Sequence, residues 1–406
     1  MQPALTQNRI ITVDALRGIA LLGILLAHMC FWYNAGQLPG ELFQKYNDIG
    51  NQIISTLNEV LIAGKFFAFF SFLFGLSFYL QMERMEQKSV HFVWRYAWRI
   101  ALMGIIGLIH HLFWPGDILS IYAPLGFILI LARKWSNKWV LIVGILFAIN
   151  VPHKLIDIYE MLKPIVPAVK GAPQNNYDAE SKAFLAIVQG KSWVNLWVNN
   201  FKGLANKFDF QFNSGRIYIT FGFFLLGMYA GRLNWFNNIS TSKPLFKKLL
   251  KRCAWVAFIL LLIAIGIIVS NEVFKLGWQE SRTVGFFFGI LYDTFNAALV
   301  LVYITGFSLL LNKANWQRIS GWFASIGKMA LTCYLSQTIL GIWLFYGVGL
   351  GLVGKTAPWL NWITAIGFFV LQVLFSRWWL KRYYYGPVEW LWRSATYFRF
   401  YPMRKK

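Results

Sequence analysis

Long apolar runs are the feature that most constrains the fold of this chain. Runs of about 20 residues recur along its 406 residues, and a helix of that length crosses the hydrocarbon core of a bilayer. We place about ten such spans, near residues 13–33, 59–81, 95–114, 117–133, 138–152, 215–232, 252–271, 284–311, 326–353 and 359–380. The chain is 57% hydrophobic and only 14% charged, a composition typical of membrane proteins. The sequence therefore predicts an all-α, polytopic integral membrane protein embedded in a lipid bilayer.

The positions of the charged residues predict how the spans are oriented. Lys and Arg concentrate in alternate loops, and cytoplasmic loops carry such an excess in membrane proteins. This rule places both termini in the cytoplasm. The net charge of +23 is explained by these loops, and the sequence has no soluble basic domain of the kind that nucleic-acid binding would require. We therefore expect no nucleic-acid partner.

One long hydrophilic segment divides the chain into three parts. They are an N-terminal five-helix block at 1–152, an extracytoplasmic loop region at 153–213, and a C-terminal five-helix block at 214–406 that ends in a basic, aromatic cytoplasmic tail. Pro, Gly and Asn predict a loop over 163–176, and apolar residues at helical spacing over 184–198 predict a helix along the membrane surface. Pro387 marks the start of a short amphipathic helix at the inner interface.

The first span carries three ionisable residues, Asp14, Arg17 and His28. Arg17 and His28 are eleven residues apart, which places them on one helix face and roughly 16 Å apart along the axis. Asp14 lies three residues before Arg17, a spacing at which the two side chains can pair. Ionisable groups inside a membrane span are costly to bury and mark candidate functional sites. The alternative is an ion pair that fixes helix packing and a histidine that is satisfied by a neighbour.

The predicted orientation suggests different roles for Arg17 and His28. Arg17 lies near the inner end, and its guanidinium suits recognition of phosphate. His28 lies in the outer half, where an imidazole can act as a general base or carry an acyl group. The pattern is compatible with a group that enters from the cytoplasm and is passed outward.

A second polar cluster, His110, His111 and Asp117, lies at the sharp turn between the third and fourth spans. The turn places it near the outer face of the membrane. Asp117 also stands where it can cap the following helix, which is the structural alternative. We predict no metal site, because adjacent histidines on a helix point in different directions and no zinc-binding pattern accompanies them.

Several other polar residues lie in or beside the spans. Arg84, Arg95 and Arg99 are candidates to bind the phosphates of a cofactor, although the predicted topology alone also places cations there. Asp293 and Asn296 lie deep in the eighth span on one face, as partners for an arginine or a polar substrate. Arg216 and Lys65 are more readily interpreted as membrane anchors, since long cationic side chains near the ends of spans reach the membrane–water interface. Each of these signals is non-specific by itself.

Five stretches of the chain, in order, resemble the YeiB-type family of membrane proteins, most of which have no known function. They are RIITVDALRGIALLGI at 9–24, FAFFSFLFG at 67–75, GDILSIYA at 116–123, SIGKMALTCYLSQ at 325–337 and GPVEWLWR at 386–393. The resemblance covers most of the chain.

The first span is also similar to two acyltransferase groups. Arg17 followed eleven residues later by His28 resembles the arginine–histidine motif of the acyltransferase-3 family, which implies acyl transfer from acyl-CoA. Asp14, Arg17 and Gly18 resemble the start of the heparan-α-glucosaminide N-acetyltransferase family, which transfers acetyl from cytosolic acetyl-CoA to a sugar amine across the membrane. That family carries its catalytic histidine after the first helix, but residues 34–58 here contain none. The catalytic task therefore falls to His28, or to His110 or His111.

These resemblances imply an acyltransferase of the bacterial inner (plasma) membrane that uses acetyl-CoA or another acyl-CoA. The acceptor is expected to be a hydroxyl or amine of a glycan or another small extracytoplasmic molecule. In this interpretation His28, Arg17 and Asp14 are catalytic, Arg17 also contacts the cofactor, and His110, His111 and Asp117 line the acceptor side. The alternative is a transporter or exporter of a small polar compound. A homodimer is compatible with the sequence.

Overall fold

A computed structural model of the chain describes residues 10–86, 92–163, 177–278 and 281–405. Within these ranges the chain forms α-helices joined by short turns and contains no β-strand, only one isolated bridge between Tyr383 and Arg404. The helices are α1 (Ile11–Cys30), α2 (Gly40–Gln44), α3 (Ile49–Leu57), α4 (Phe66–Glu86), α5 (Phe92–Phe113), α6 (Leu119–Ala132), α7 (Asn137–Ala148), α8 (Val151–Leu162), α9 (Tyr177–Gln189), α10 (Trp193–Lys202), α11 (Leu204–Asn213), α12 (Arg216–Arg232), α13 (Ile239–Phe274), α14 (Arg282–Leu311), α15 (Gln317–Lys328), α16 (Ala330–Phe345), α17 (Pro358–Arg382) and α18 (Pro387–Tyr397).

The helix lengths confirm an all-α, polytopic membrane protein. Among the described residues, six segments are long and apolar enough to cross a bilayer, namely α1, the α3–α4 segment, α5, α13, α14 and α17. A seventh is added if α7 and α8, which are bent by 52° relative to each other, form one span. α6 and α16 are apolar but shorter. The number of ten spans and the cytoplasmic location of both termini remain predictions.

Helix α1 lies in the centre of the helix bundle. In its most apolar window 72% of the residues are buried, compared with 6% for α13, which lies at the periphery against α14. α1 packs mainly on α15, α17 and α4. A Cβ atom at Gly18 would overlap the backbone oxygen of Phe323, and one at Gly327 would overlap that of Asp14. Glycines on both helices therefore allow the two backbones to touch, as small residues do between membrane helices.

Helices α4 and α12 form the most extensive interhelical contact. A Cβ atom at Gly75 of α4 would overlap the oxygen of Phe224, and one at Gly227 of α12 would overlap the oxygen of Phe72. Gly231 follows one turn later against the ring of Tyr79. This contact and that of α1 with α15 join the predicted N-terminal and C-terminal blocks to each other.

The span predicted at 326–353 is broken in the structure. α15 ends at Lys328 and α16 begins at Ala330. The backbone amides of Leu331 and Thr332 donate to Glu389 Oε1 at 2.7 and 3.0 Å. The carboxylate therefore satisfies amides at the first turn of α16, which lack partners within their own helix. The residue that stabilises the break lies about 60 positions downstream, so the local apolar pattern could not reveal it.

The amphipathic helices follow the predictions in part. A helix begins at Pro387 as predicted, and residues 184–198 are largely helical but are divided between α9 and α10 at Gly190–Ser192. The loop predicted over 163–176 lies, except for Lys163, outside the described residues.

Loops that were predicted on the same side of the membrane meet in the structure. At the predicted outer end, Trp32 Nε1 donates to the oxygen of Thr356 at 2.8 Å. At the predicted inner end, Trp98 Nε1 donates to the oxygen of Ala395 at 3.1 Å. The bundle thus has two distinct ends, which the following sections call the outer and the inner end.

Candidate functional site

His28 lies at the outer end of α1 among aromatic rings. After α1 the chain reverses through Trp32 and Tyr33, both buried and both with positive φ (56° and 53°). This turn places the Tyr33 ring 5.4 Å from the His28 ring, and the Trp114 ring lies edge-on at 4.7 Å. Trp114 Nε1 donates to the backbone oxygen of Tyr33 at 2.9 Å, and this hydrogen bond holds the indole against the turn that follows α1.

His110 and Asp117 form a buried pair that also lies near Trp114. His110 Nδ1 lies 2.8 Å from Asp117 Oδ1, and the His110 ring lies 6.0 Å from the Trp114 ring. Asp117 also accepts the backbone amides of Leu119 at 3.2 Å and Ser120 at 2.8 Å, so it caps α6 as the structural alternative predicted. The same carboxylate therefore caps a helix and orients a histidine.

The second ring nitrogen of His110, Nε2, has an unusual environment. His110 is 6% exposed, and its Nε2 is buried without a hydrogen-bond partner among the residues that the structure describes. With Nδ1–H donated to a carboxylate, the lone pair of a neutral imidazole lies on Nε2. A buried polar atom without a partner costs free energy and therefore calls for an explanation.

Lys207 of α11 completes the cluster and was missed by the sequence interpretation. Its Nζ donates to Ser120 Oγ at 2.8 Å, lies 3.3 Å from His111 Nδ1 and 3.7 Å from Asp117 Oδ2. His111 Nε2 in turn lies 2.9 Å from the backbone oxygen of Asn200. His111 is thus held by hydrogen bonds on both nitrogens. In the sequence nothing distinguishes Lys207 from the other lysines of the predicted loop region.

Lys207 on α11 and Asp117, which the structure places in the turn before α6, change each other's pKa. Burial lowers the pKa of Lys207 to about 8, although the neighbouring charge of Asp117 acts in the opposite direction. Burial alone would raise the pKa of Asp117, but the hydrogen bond to His110 and the charge of Lys207 outweigh it and hold this pKa below its usual range. These two interactions therefore favour the anionic form of Asp117.

The structure separates the predicted catalytic residues into two groups. His28, His110, His111 and Asp117 gather at the outer end, near Trp114 and Lys207. Asp14 and Arg17 pair as predicted, with Arg17 Nη1 donating to Asp14 Oδ1 at 2.5 Å, but they lie toward the inner end, where Arg17 Nη2 also donates to Ser77 Oγ at 2.6 Å. About 16 Å of helix separates Arg17 from His28.

The predicted cofactor arginines lie at the inner end. The Arg99 guanidinium lies 3.7 Å from the Trp392 ring centroid, and Arg95 lies 5.6 Å from that of Tyr397. The positive charges of Arg17 and Arg393 both act on Arg99. The side chain of Arg84 lies outside the described part of the structure. A cluster of cations stacked on aromatic rings can hold phosphate groups.

Two further polar residues of the sequence analysis line a partly open cavity. Asp293 and Asn296 of α14 share it with Arg216, which begins α12 and is exposed. Arg216 also acts electrostatically on His28, so the cavity lies beside the outer cluster.

Comparison with known proteins assigns the chain to a family. A family model described as "Protein of unknown function (DUF418)" matches residues 230–399. The chain is 27% identical to the "Uncharacterized protein YeiB" of Escherichia coli (strain K12) over 412 residues, with 96% of each chain covered. It is 31% identical to the "Uncharacterized protein YxaH" of Bacillus subtilis (strain 168) over 419 residues, with 100% of this chain and 98% of the relative covered. The chain belongs to the YeiB-type family.

The relatives align with this YeiB-type protein along its whole length. A third one, the "Uncharacterized 39.9 kDa protein in amylase 3'region" of Bacillus acidopullulyticus, is 26% identical over 423 residues and covers 100% of this chain and 99% of its own. The residues matched by the family model include Asp293, Asn296 and Glu389. The outer histidine cluster lies in the part that only the full-length alignments cover.

Proposed function

We propose that this YeiB-type protein is a membrane-embedded acyltransferase. It would move an acetyl or other acyl group from cytoplasmic acyl-CoA to a hydroxyl or amine of a glycan or small molecule on the other side of the bacterial inner membrane. The observation that carries the proposal is the His110–Asp117 pair with its unpartnered, buried Nε2 atom.

The pair has the parts of a general base. Asp117 fixes the tautomer and the orientation of the imidazole, and its negative charge stabilises the imidazolium that forms when Nε2 accepts a proton. Backbone amides hold the carboxylate in place. A structural histidine would be expected to use both ring nitrogens, as His111 does.

The proposed step uses one base for both proton transfers. His110 Nε2 takes the proton from the acceptor hydroxyl or amine while the acceptor atom attacks the thioester carbonyl carbon. The carbon–sulfur bond then breaks, and His110 returns the proton to the leaving thiolate. The products are an ester or amide and the free thiol of CoA, so atoms and charge balance.

His28 is the other candidate for this role. Its ring contacts the same tryptophan as His110, and an imidazole can also carry the acyl group transiently. Since His110 is buried, access to Nε2 requires the Trp114 or Tyr334 ring to move when a substrate binds.

The inner arginines suit the donor end of the reaction. Arg17, Arg95 and Arg99 would bind the phosphates of acyl-CoA, with Asp14 holding Arg17 in position. This places the donor's phosphates and the outer histidines at opposite ends of α1, as transfer across the membrane requires.

Turnover of acetyl-CoA by the purified protein tests the proposal. With a set of glycan and amine acceptors, we expect His110→Gln to lower the rate of thioester loss by at least about 100-fold, the range that general base catalysis contributes. His28→Gln tests the other candidate. His153→Gln is the matched control, because His153 lies outside the cluster and contacts Asn213 and Asp157. Equal rates in the wild type, His110→Gln and His28→Gln would overturn the proposal.

Transport is the second candidate, favoured by one observation. Asn150 lies at the bend between α7 and α8, and its Nδ2 donates to Asp293 Oδ2 at 3.0 Å beside the cavity. Broken helices commonly form substrate sites in transporters. Uptake of a labelled compound into proteoliposomes without acyl-CoA, together with no thioester loss, would favour this function.

A further inference from the structure

The cavity beside the outer cluster has a volume of about 60 Å³ and is partly open to the surface. It lies between α4, α12 and α14, and its polar lining comes from Ser214, Arg216, Tyr292, Asp293 and Asn296. A single water needs about 10–15 Å³ measured in this way, so the space holds roughly four to six water-sized groups. Because the cavity is partly open, this space can hold one end of a small polar molecule or of a lipid headgroup.

Arg216 brings the positive charge to this cavity. It follows Gly215, whose φ of +68° turns the chain into α12, and a Cβ atom at this glycine would overlap the amide group of Asn150. The guanidinium lies 5.4 Å from the Phe67 ring centroid and 5.1 Å from that of Phe210. Among the described residues no carboxylate forms an ion pair with it, although Glu59 acts on it from a greater distance. Its hydrogen-bond donors are therefore open to a ligand.

Asp293, the carboxylate that lines the cavity, already has two partners within the protein. Asp293 Oδ2 lies 3.3 Å from Lys154 Nζ and accepts Asn150 Nδ2 at 3.0 Å. The Lys154 ammonium also lies 3.4 Å from Asp157 Oδ2, so the two carboxylates share it. Arg216 is the cation of the cavity that forms no ion pair among the described residues, and it favours an anionic ligand.

Asn296 supplies an independent sign of a ligand. It is 8% exposed, it lines the cavity, and its Oδ1 is buried without a hydrogen-bond partner in the described structure. A carboxamide has both donors and an acceptor, which a ligand hydroxyl can match. Leaving such a group unpaired would cost roughly 1–3 kcal/mol.

We propose that this cavity binds a small oxyanion that carries a hydroxyl group. The oxyanion, a phosphate or carboxylate, pairs with the Arg216 guanidinium, and the hydroxyl donates to Asn296. A free metabolite and a glycerol-containing anionic lipid headgroup share this chemistry. The proposal does not depend on acyl transfer, and its test uses no acyl donor.

Binding of two probes to the purified full-length protein tests the proposal. Glycerol phosphate, titrated calorimetrically, represents the free ligand. Phosphatidylglycerol, compared with phosphatidylcholine in nanodiscs and detected by native mass spectrometry, represents the headgroup. We expect at least one probe to bind saturably, and Arg216→Gln to weaken that binding at least about tenfold, as the loss of a charge-assisted hydrogen bond predicts. Arg282→Gln, an exposed arginine at the start of α14, is the matched control.

Asn296→Asp is the second variant, because it keeps the side-chain shape and places a negative charge opposite the oxyanion. We expect it to weaken binding at least as strongly as Arg216→Gln. Saturable binding of glycerol phosphate assigns a free ligand, and selective retention of phosphatidylglycerol assigns a headgroup. Absence of binding of both probes to the wild type, or wild-type affinity in both variants, would overturn the proposal.

Discussion

Lys207 shows how a single side chain acquires its properties from its surroundings. In the sequence it is one of several lysines in a hydrophilic stretch, whereas in the structure its side chain is 7% exposed and lies between Ser120, His111 and Asp117. Removing an ammonium group from water disfavours its charged form, and the neighbouring carboxylate compensates only in part. Its lowered pKa is therefore a property of the tertiary structure.

The pKa of Lys207 makes a prediction about stability. The pKa falls from 10.5 in the unfolded chain to about 8 in the folded protein. Between these values the unfolded state binds more protons, so the free energy of unfolding should rise with pH. Relative to Lys207→Met, the wild type should gain on the order of 3 kcal/mol from pH 8 to pH 10.5.

Thermal unfolding of both proteins in detergent across this pH range measures the effect. Lys182→Met, a substitution of an exposed lysine on α9, is the control and should follow the wild type. A difference between wild type and Lys207→Met that stays constant with pH would show that Lys207 keeps an ordinary pKa.

At the level of helices, close backbone contact holds the bundle together. The α4–α12 contact depends on Gly75 and Gly227, and the α1–α15 contact on Gly18 and Gly327. In a bilayer the surrounding lipid is as apolar as the side chains, so close packing replaces the hydrophobic effect as the attraction between helices. Conversely, Gly266 on the peripheral α13 has no heavy atom within 4 Å of the position of a Cβ.

Two glycine substitutions separate packing from helix propensity. Gly227→Ala should destabilise the protein by about 1–3 kcal/mol, because the added methyl group collides with the backbone of α4. Gly266→Ala should be neutral or stabilising by up to about 1 kcal/mol, because alanine is the better helix former and has room there. Midpoints of thermal unfolding in one detergent measure both changes. Equal midpoints for the two variants would contradict the packing argument.

At the scale of the whole molecule, polar groups lie at the two ends of an apolar bundle. Histidines, Asp117 and Lys207 gather at the outer end, and stacked arginines gather at the inner end. The excess of Lys and Arg in alternate loops predicts that the arginine end faces the cytoplasm. This orientation underlies the proposed direction of acyl transfer.

Labelling of single cysteines tests the orientation. In a Cys253→Ser background, in which the remaining Cys30 and Cys333 are buried, Lys182→Cys should react with a membrane-impermeant maleimide in intact bacterial cells. Ser240→Cys should react only after the cells are permeabilised, because the positive-inside rule places it in the cytoplasm. Both positions are exposed in the structure. The reverse pattern would invert the topology and refute cytoplasmic access to the inner arginines.

The sequence determined the class of the fold and several residues of the candidate site. Apolar runs are local and long, so they predicted a helical membrane protein, and the three-residue spacing of Asp14 and Arg17 predicted their ion pair. The turn between the third and fourth spans identified His110 and Asp117 as neighbours because they are close in the chain.

Only the tertiary structure decided which distant groups meet. Trp114 contacts His28, Lys207 reaches Asp117 from α11, and Arg216 shares a cavity with Asn296. These contacts join residues that are about 80 to 90 positions apart in the chain, and helical periodicity carries no information about which faces of different helices pack together. The break before α16 likewise depends on Glu389, whose carboxylate binds amides of a helix more than 50 residues upstream. Local pattern fixed the helices, and the packing between them fixed the sites.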